Sequence, residues 1–161
     1  MLFWKNLVFT IAIPGTVAVV LPLWLVAGKE PGSTLAIILA LPFLILGAAI
    51  YTWCVWDFAT LGRGTPLPLD APKKLVVRGL YRHSRNPMYV GVLCIILGWL
   101  VMFQSLVLAA HALAVFTLFQ LFITLYEEPH LRHVFGAEYE DYCRKAGRWL
   151  PRHQSSGSSS T

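Results

Sequence analysis

The chain has 161 residues, of which 57% are hydrophobic and only 13% are charged, and its formal net charge is +5. It is too apolar for an ordinary soluble domain and too short for several domains. The composition therefore predicts a membrane protein. Its positive charge needs no nucleic-acid partner, because membrane topology and anionic lipid headgroups account for it.

Four apolar segments are predicted to span the membrane, since roughly 20 apolar residues cross a bilayer core about 30 Å thick. They occupy residues 7–27, 35–56, 88–103 and 106–126, and only Gln104 and Ser105 separate the last two. The third and fourth spans therefore form a predicted tight helical hairpin. The first is longer than the roughly 7–15 apolar residues of a secretory signal and is expected to be retained. The predicted fold class is all-α and multi-pass.

The distribution of positive charge predicts the orientation. Apart from Lys29, every lysine and arginine falls on one side of the four-span arrangement. Positive residues accumulate in cytoplasmic loops. Both termini and the central loop are therefore predicted to be cytoplasmic, which in a bacterium means an inner-membrane protein.

Several residues within the spans are expected to be structural. Pro14 and Pro22 should kink the first span, with neighbouring helices satisfying the carbonyls that are freed. Polar side chains in the fourth span should bond to a neighbouring helix, and small residues in the third should mark close helix packing. These are His111 and Gln120 in the fourth span, and Gly91 and Gly98 in the third.

The chain divides into four predicted regions. Residues 1–56 are a two-span membrane scaffold, and 57–87 are a cytoplasmic interfacial loop whose Gly and Pro residues exclude a long regular helix. Residues 88–152 hold the hairpin and a C-terminal segment, where apolar residues at helical spacing over 137–149 are typical of an interfacial or docking helix. The Ser-rich tail, 153–161, is predicted to be disordered.

Asn86 and Pro87 mark the start of the third span, because Asn can cap exposed amides and Pro suits the first helical position. A helix N-terminus attracts a carboxylate or phosphate. Arg82 and Arg85 stand just ahead of it and would reinforce that preference. The alternative is that these arginines only anchor the helix to lipid phosphates.

Glu127 and Glu128 follow the fourth span, where the partial negative charge of a helix C-terminus disfavours acids. A cation should compensate them: a ligand ammonium, or else Arg132, Arg148 or solvent. With the anion-attracting start of the third span, the acid pair favours a zwitterionic ligand that bridges the two ends.

Aromatic side chains crowd the same borders. Interfacial Tyr and Trp normally form an aromatic belt. One or two could instead stack on a heteroaromatic ring or face a cation. The residues concerned are Tyr81, Tyr89, Tyr126, Tyr139, Tyr142 and Trp149.

Neither a metal site nor a disulfide framework is predicted. His130 and His133 lie near the acid pair, but their spacing is loose and Pro129 is expected to interrupt the helix. Two of the three cysteines lie inside predicted spans, and Cys143 lies in cytoplasmic sequence.

The second half of the chain resembles the integral-membrane methyltransferases typified by isoprenylcysteine carboxyl methyltransferase and the phospholipid N-methyltransferases. Their shared pattern is Gly-x-Tyr, Arg-His-Pro-x-Tyr-x-Gly, a hairpin, Glu-Glu and Phe-Gly-x-x-Tyr-x-x-Tyr, ending near Arg and Pro. The resemblance covers about residues 75–151, and Asn86 departs from it where His is common. The matching residues are Gly79, Tyr81, Arg85, Pro87, Tyr89, Gly91, Glu127, Glu128, Phe135, Gly136, Tyr139, Tyr142, Arg148 and Pro151.

The resemblance implies S-adenosylmethionine as cofactor and a lipophilic acceptor methylated on a carboxylate or amine, such as a lipid-like or prenylated small molecule. Residues 88–152 would then be a methyltransferase-like hairpin with a C-terminal cofactor segment. The implied catalytic residues are Arg148, which would hold an anionic acceptor, and Glu128, which would help an amine to lose its proton. The implied cofactor-binding residues are Tyr81, Arg82, Arg85, Asn86, Pro87, Tyr89, Glu127, Glu128 and Tyr139.

The resemblance also implies where each part of the cofactor would lie. Its carboxylate would lie against the start of the third span near Arg85, its ammonium near Glu127 or Glu128, and its sulfonium near Tyr89. Its adenine would lie on Tyr or Leu surfaces of the C-terminal segment.

Two alternatives stay open. One is an NADPH-dependent membrane reductase of the sterol-reductase type, whose Pro-Asn-Tyr element and closing Tyr-Cys segment resemble this pattern at Tyr142 and Cys143. Those reductases usually carry more spans, and the adjacent Glu127 and Glu128 favour the methyltransferase. The other is a non-catalytic membrane scaffold, which a cofactor-binding test would distinguish from both enzymes.

Overall fold

The computed structural model describes residues 12–61, 75 and 77–152. Predictions that concern Lys5, Arg63, Lys73, Lys74 and the tail 153–161 lie outside these residues. The regular structure of the described part is helical, and no β-strand occurs in it. The all-α prediction is confirmed for this part of the chain.

The described residues form five helices and one short turn. Gly136, with φ of 51°, separates the last two helices in a conformation that favours glycine. The short turn is a 3₁₀ helix, Gly79–Arg82. The helices are α1 Ala12–Leu25, α2 Thr34–Leu61, α3 Pro87–Phe103, α4 Leu106–Phe135 and α5 Ala137–Lys145.

Two segments, Thr34–Asp57 and Leu106–Phe135, are long and apolar enough to cross a membrane, and α1 and α3 are shorter apolar helices. Large apolar side chains on α2 and α4 remain exposed, among them Ile45 at 66% and Leu118 at 64%. Such surfaces are expected where lipid rather than protein covers a helix. These are the features of a membrane protein.

The expectation that Pro129 interrupts the fourth helix is wrong, because α4 continues past it to Phe135. A π-helical turn, Ile123–Glu127, lies just before the proline, and the N–H of Glu128 donates to the Ile123 carbonyl. Pro129 has no N–H for the usual helical hydrogen bond. The wider turn therefore carries the helix through the proline with a changed register.

The first helix is tied to its neighbours through its own carbonyls. Pro22 has no N–H for the helical bond to the Ala18 carbonyl, and the indole N–H of Trp99 on α3 donates to that oxygen at 3.0 Å. His111 Nε2 on α4 lies 3.0 Å from the Val17 carbonyl oxygen. The expectation that neighbouring helices satisfy the carbonyls near Pro22 is confirmed, as is the structural role of His111.

Replacing Trp99 with phenylalanine should lower the free energy of unfolding by about 1–2 kcal/mol, because the Ala18 carbonyl loses its donor in apolar surroundings. Thermal or denaturant unfolding in detergent would measure the change. Trp24→Phe is the matched control, since Trp24 is 71% exposed and should be replaceable at little cost. Equal stability of the two variants would contradict this role for Trp99.

Helices α2 and α3 approach each other closely at their glycines. A Cβ built on Gly47 would lie 2.6 Å from the Gly91 carbonyl oxygen, and one on Gly98 would lie 2.6 Å from the Leu44 side chain. The prediction that Gly91 and Gly98 mark close helix packing is confirmed. Side chains from three helices fill the adjoining core: Ala18, Val92, Ile96 and Val115.

Candidate functional site

Gly79 is the first residue of the 3₁₀ turn that leads into the site. Its φ of 56° is a conformation that favours glycine. A Cβ at this position would collide with the Asp57 carboxylate on α2. The 3₁₀ turn therefore packs against the C-terminal part of α2. Tyr81 in the turn is buried, and its carbonyl accepts a hydrogen bond from the Tyr142 hydroxyl at 2.7 Å.

Asn86 and Pro87 begin α3 as predicted, but Asn86 does not cap the helix with its side chain. Its side-chain nitrogen donates instead to the Arg148 carbonyl at 3.1 Å. Its backbone N–H donates to the Ser84 hydroxyl at 3.2 Å. The expected cap is therefore wrong, because the C-terminal segment takes up the Asn86 amide.

Two guanidiniums converge on the Glu128 carboxylate, whose side chain is 5% exposed. Arg148 donates from Nε at 2.8 Å and from Nη2 at 2.9 Å, which is a bidentate pair. Arg85 Nη1 lies 3.2 Å from Glu128 Oε1. These hydrogen bonds to Glu128 raise the pKa of Arg148 above its usual value. We call these three residues the Arg–Glu–Arg cluster.

The prediction that a cation should compensate the acid pair is confirmed for Glu128, whereas Glu127 accepts from the neutral Tyr89 hydroxyl. Arg148 was among the expected partners, and Arg85 joins it. The reason given for the prediction was wrong, however, because these glutamates lie within a continuing helix rather than beyond its end. The cation is required by burial of the Glu128 charge.

Arg85 retains donor capacity in this arrangement. Its Nη1 donates to the Cys143 sulfur at 2.8 Å, while its Nε is buried without a hydrogen-bond partner among the described residues. Two guanidiniums and one carboxylate also leave the Arg–Glu–Arg cluster with one positive charge in excess. A buried N–H normally finds an acceptor, so the environment of Arg85 suits an anionic group.

Glu127 has a different partner from its neighbour. Its Oε2 accepts a hydrogen bond from the Tyr89 hydroxyl at 3.1 Å. The Tyr89 ring packs on Phe119, with ring centroids 4.6 Å apart. The start of α3 therefore lies beside the later part of α4, and a carboxylate held by a neutral donor faces this junction.

The C-terminal segment closes the site from another side. Tyr139 and Tyr142 on α5 are buried against each other, with ring centroids 6.2 Å apart, and burial raises the pKa of both phenols. Beyond α5, the Trp149 indole N–H donates to Gln120 Oε1 at 3.0 Å. Gln120 thus bonds to the C-terminal segment rather than to a neighbouring membrane helix. The predicted helix over 137–149 ends earlier, at Lys145.

The predicted site residues fall into two groups. Arg82 is exposed and its side chain makes no hydrogen bond or ion pair with another described residue, while Tyr81 is buried against α2, where Cys54 lies beside its phenol. The others meet where α3 begins, where α4 carries its π-helical turn and where the C-terminal segment docks. They are Arg85, Asn86, Pro87, Tyr89, Glu127, Glu128, Tyr139 and Arg148.

Sequence reasoning missed Ser84, Cys143 and Gly147 as parts of this junction. Ser84 and Gly147 form an isolated parallel bridge, and the Arg85 N–H donates to the Gly147 carbonyl at 2.8 Å. A Cβ at Gly147 would collide with the Leu150 carbonyl oxygen. The one signal in the sequence was Gly147, a glycine among charged residues. A lone glycine does not show which distant segment it will pair with.

Comparisons with known proteins identify a family for this chain. The family model for phospholipid methyltransferases matches residues 35–138, well over half of the chain. Two proteins named "Probable protein-S-isoprenylcysteine O-methyltransferase", from Oryza sativa subsp. indica and subsp. japonica, are 40% identical to it over 79 residues. That region is 48% of this chain and 41% of each relative, so the chain spans about two fifths of the length of the curated relatives it matches. No solved structure matches the chain. The chain belongs to the phospholipid methyltransferase family.

Proposed function

We propose that this protein is a membrane methyltransferase that moves a methyl group from S-adenosylmethionine to a lipophilic acceptor. The observation that carries the proposal is the convergence of Arg85 and Arg148 on Glu128, beside the Tyr89–Glu127 pair, where α3 meets α4. Family membership supports this reading and does not favour the reductase alternative.

The charged groups fit the zwitterionic amino-acid end of the cofactor. Arg85 has a buried Nε that lacks a partner among the described residues, so it would hold the carboxylate. Both Glu128 oxygens already accept from guanidiniums. Glu127 accepts from the neutral Tyr89 hydroxyl and is therefore the better partner for the ammonium. When bound, S-adenosylmethionine supplies a methyl group activated by its sulfonium.

The protein's own contribution is alignment and exclusion of water. Arg85 and Glu127 would fix the two charged groups, and the Tyr89 ring, packed on Phe119, would provide an apolar surface between them. Tyr139 is 1% exposed and lies near Glu128 and Arg85, where it would help to exclude water from the Arg–Glu–Arg cluster.

The acceptor is proposed to be lipophilic and anionic. The Arg148 side chain is 35% exposed, so it would reach an acidic acceptor while it remains bound to Glu128. A carboxylate is already ionised at pH 7 and needs no base. That suits a site in which two guanidiniums occupy Glu128, whereas an amine acceptor would need a free base.

The membrane topology is also a proposal. Four spans, with the third and fourth as a hairpin and both termini cytoplasmic, would place this junction at the cytoplasmic surface. S-adenosylmethionine would then arrive from the cytoplasm and the acceptor from the bilayer. The exposed apolar faces of α2 and α4, and the two-residue connection between α3 and α4, support this arrangement.

Binding of S-adenosylhomocysteine to the detergent-purified protein tests the proposal. At about 100 times its Kd, the ligand should add about 2.7 kcal/mol to the free energy of unfolding, and NADPH should add nothing. Stabilisation by NADPH alone would support a reductase. Stabilisation by neither would support a scaffold.

Glu127→Gln should weaken S-adenosylhomocysteine binding about tenfold, since a charged acceptor for the ammonium becomes neutral. Glutamine can still accept from Tyr89, so stability should change little. Glu138→Gln is the matched control, because Glu138 is exposed on α5. An unchanged Kd for Glu127→Gln, measured by calorimetry, would remove Glu127 from the site.

A further inference from the structure

Two short segments distant in sequence pair with each other beside the Arg–Glu–Arg cluster. Ser84 and Gly147 form a parallel bridge, and the N–H of Arg85 donates to the Gly147 carbonyl. Asn86 follows Arg85, and Arg148 follows Gly147, so the pairing brings Asn86 close to Arg148. Asn86 is 6% exposed, so its amide is removed from solvent and its partner matters.

The Arg148 carbonyl receives two side-chain hydrogen bonds. Asn86 Nδ2 donates at 3.1 Å and the Ser84 hydroxyl donates at 3.3 Å. A carbonyl oxygen only accepts, so the amide nitrogen of Asn86 must be the group that faces it. Arg148 lies beyond the end of α5, at Lys145, and has no helix of its own to hold its backbone.

We propose that Asn86 is a positioning residue, which fixes the backbone of Arg148 so that its guanidinium meets Glu128 in the bidentate geometry. Asn86 thus acts through Arg148 and does not itself contact cofactor or acceptor. The role for which Arg148 is positioned rests on the proposed function. The positioning of Arg148 by the hydrogen bond from Asn86 does not depend on that function.

Asn86→Asp tests this link with little change in size. Aspartate also suits a helix N-terminus, so α3 should still begin at the same place. The substitution replaces a donor with an acceptor facing the Arg148 carbonyl. We expect the Arg148 guanidinium to leave Glu128 more often and to react with phenylglyoxal about fivefold faster in the intact protein, as followed by mass spectrometry.

The side chain of Arg144 is 73% exposed, so it is an internal reference whose reactivity should not change. Gln120→Leu is the matched control variant, because it breaks another tie to the same segment, the hydrogen bond from Trp149. If Gln120→Leu exposes Arg148 as much as Asn86→Asp does, or if Asn86→Asp leaves its reactivity unchanged, the proposal is overturned. Should Asn86→Asp fail to fold, Asn86→Ala removes the same donor without adding a charge and should still raise Arg148 reactivity about fivefold, and an unchanged rate in that variant would overturn the proposal.

Ligand binding separates this proposal from the proposed function. Asn86→Asp should change the Kd of S-adenosylhomocysteine less than about twofold, because Arg85 and Glu127 are proposed to hold that ligand and Asn86 acts only through Arg148. A larger loss of binding that persists undiminished in an Arg148→Met background would mean that Asn86 contacts the ligand directly. If the unmodified protein does not bind S-adenosylhomocysteine, the proposed function fails, while phenylglyoxal reactivity still decides the role of Asn86.

Discussion

Replacing Glu128 with glutamine should lower the free energy of unfolding by about 3 kcal/mol, because two guanidiniums lose the carboxylate that compensates them. The Arg85 side chain is only 13% exposed and cannot regain full hydration. Arg148, at 35% exposed, can recover part of it, so the expected cost is at the lower end for a broken buried pair. Denaturant unfolding in a mild detergent would measure the loss.

Glu140→Gln is the matched control for Glu128→Gln. Glu140 also pairs with an arginine, Arg132, at 2.8 Å, but the two side chains are 52% and 50% exposed. An exposed ion pair contributes less than about 1 kcal/mol. If the two variants were equally stable, burial of the Arg–Glu–Arg cluster would not be what makes Glu128 indispensable.

Replacing Gly47 with alanine should cost about 2–3 kcal/mol, since the added methyl group meets backbone that cannot move without separating two helices. A Cβ there would lie 2.6 Å from the Gly91 carbonyl oxygen and 2.8 Å from the Ile95 nitrogen. Gly91→Ala should cost less, because its nearest neighbours are at 3.0 Å and 3.1 Å. Thermal unfolding should therefore rank the two variants in that order.

Gly15→Ala serves as the control for the glycine series. Nothing lies within 4 Å of a Cβ at Gly15, and its backbone is already helical. Alanine is the better helix former by about 1 kcal/mol, so stability should hold or rise slightly. A Gly47→Ala variant as stable as Gly15→Ala would mean that α2 and α3 are not in close contact at this position.

The charge pattern of the sequence predicted some features of the candidate site and not others. That Arg85, Glu127 and Glu128 would need partners was predictable, because ionisable groups beside long apolar segments rarely stay unpaired. Their pairing was not predictable. Adjacent glutamates could have shared one ligand, yet Tyr89 engages the first while Arg85 and Arg148 engage the second.

The residue before α3 illustrates the same limit. Asn and Pro in succession correctly indicated the start of a helix, and Asn86 was expected to cap it. A side-chain donor such as the Asn86 amide, however, bonds to whichever acceptor lies within reach in the folded chain. Here that is the Arg148 carbonyl, 62 residues away in sequence. No local pattern contains that information.

By itself, the sequence determined the helical class, the apolar segments, the glycine contacts of α3 and the phospholipid methyltransferase family. These follow from composition, from spacing along one helix and from motif order, which are local properties. Only the tertiary structure decided that α4 passes Pro129 by a π-helical turn, that α5 ends at Lys145, and that the segment beyond it docks beside α3. The physical reason is that buried charges and unpaired carbonyls are satisfied by whichever groups packing places next to them.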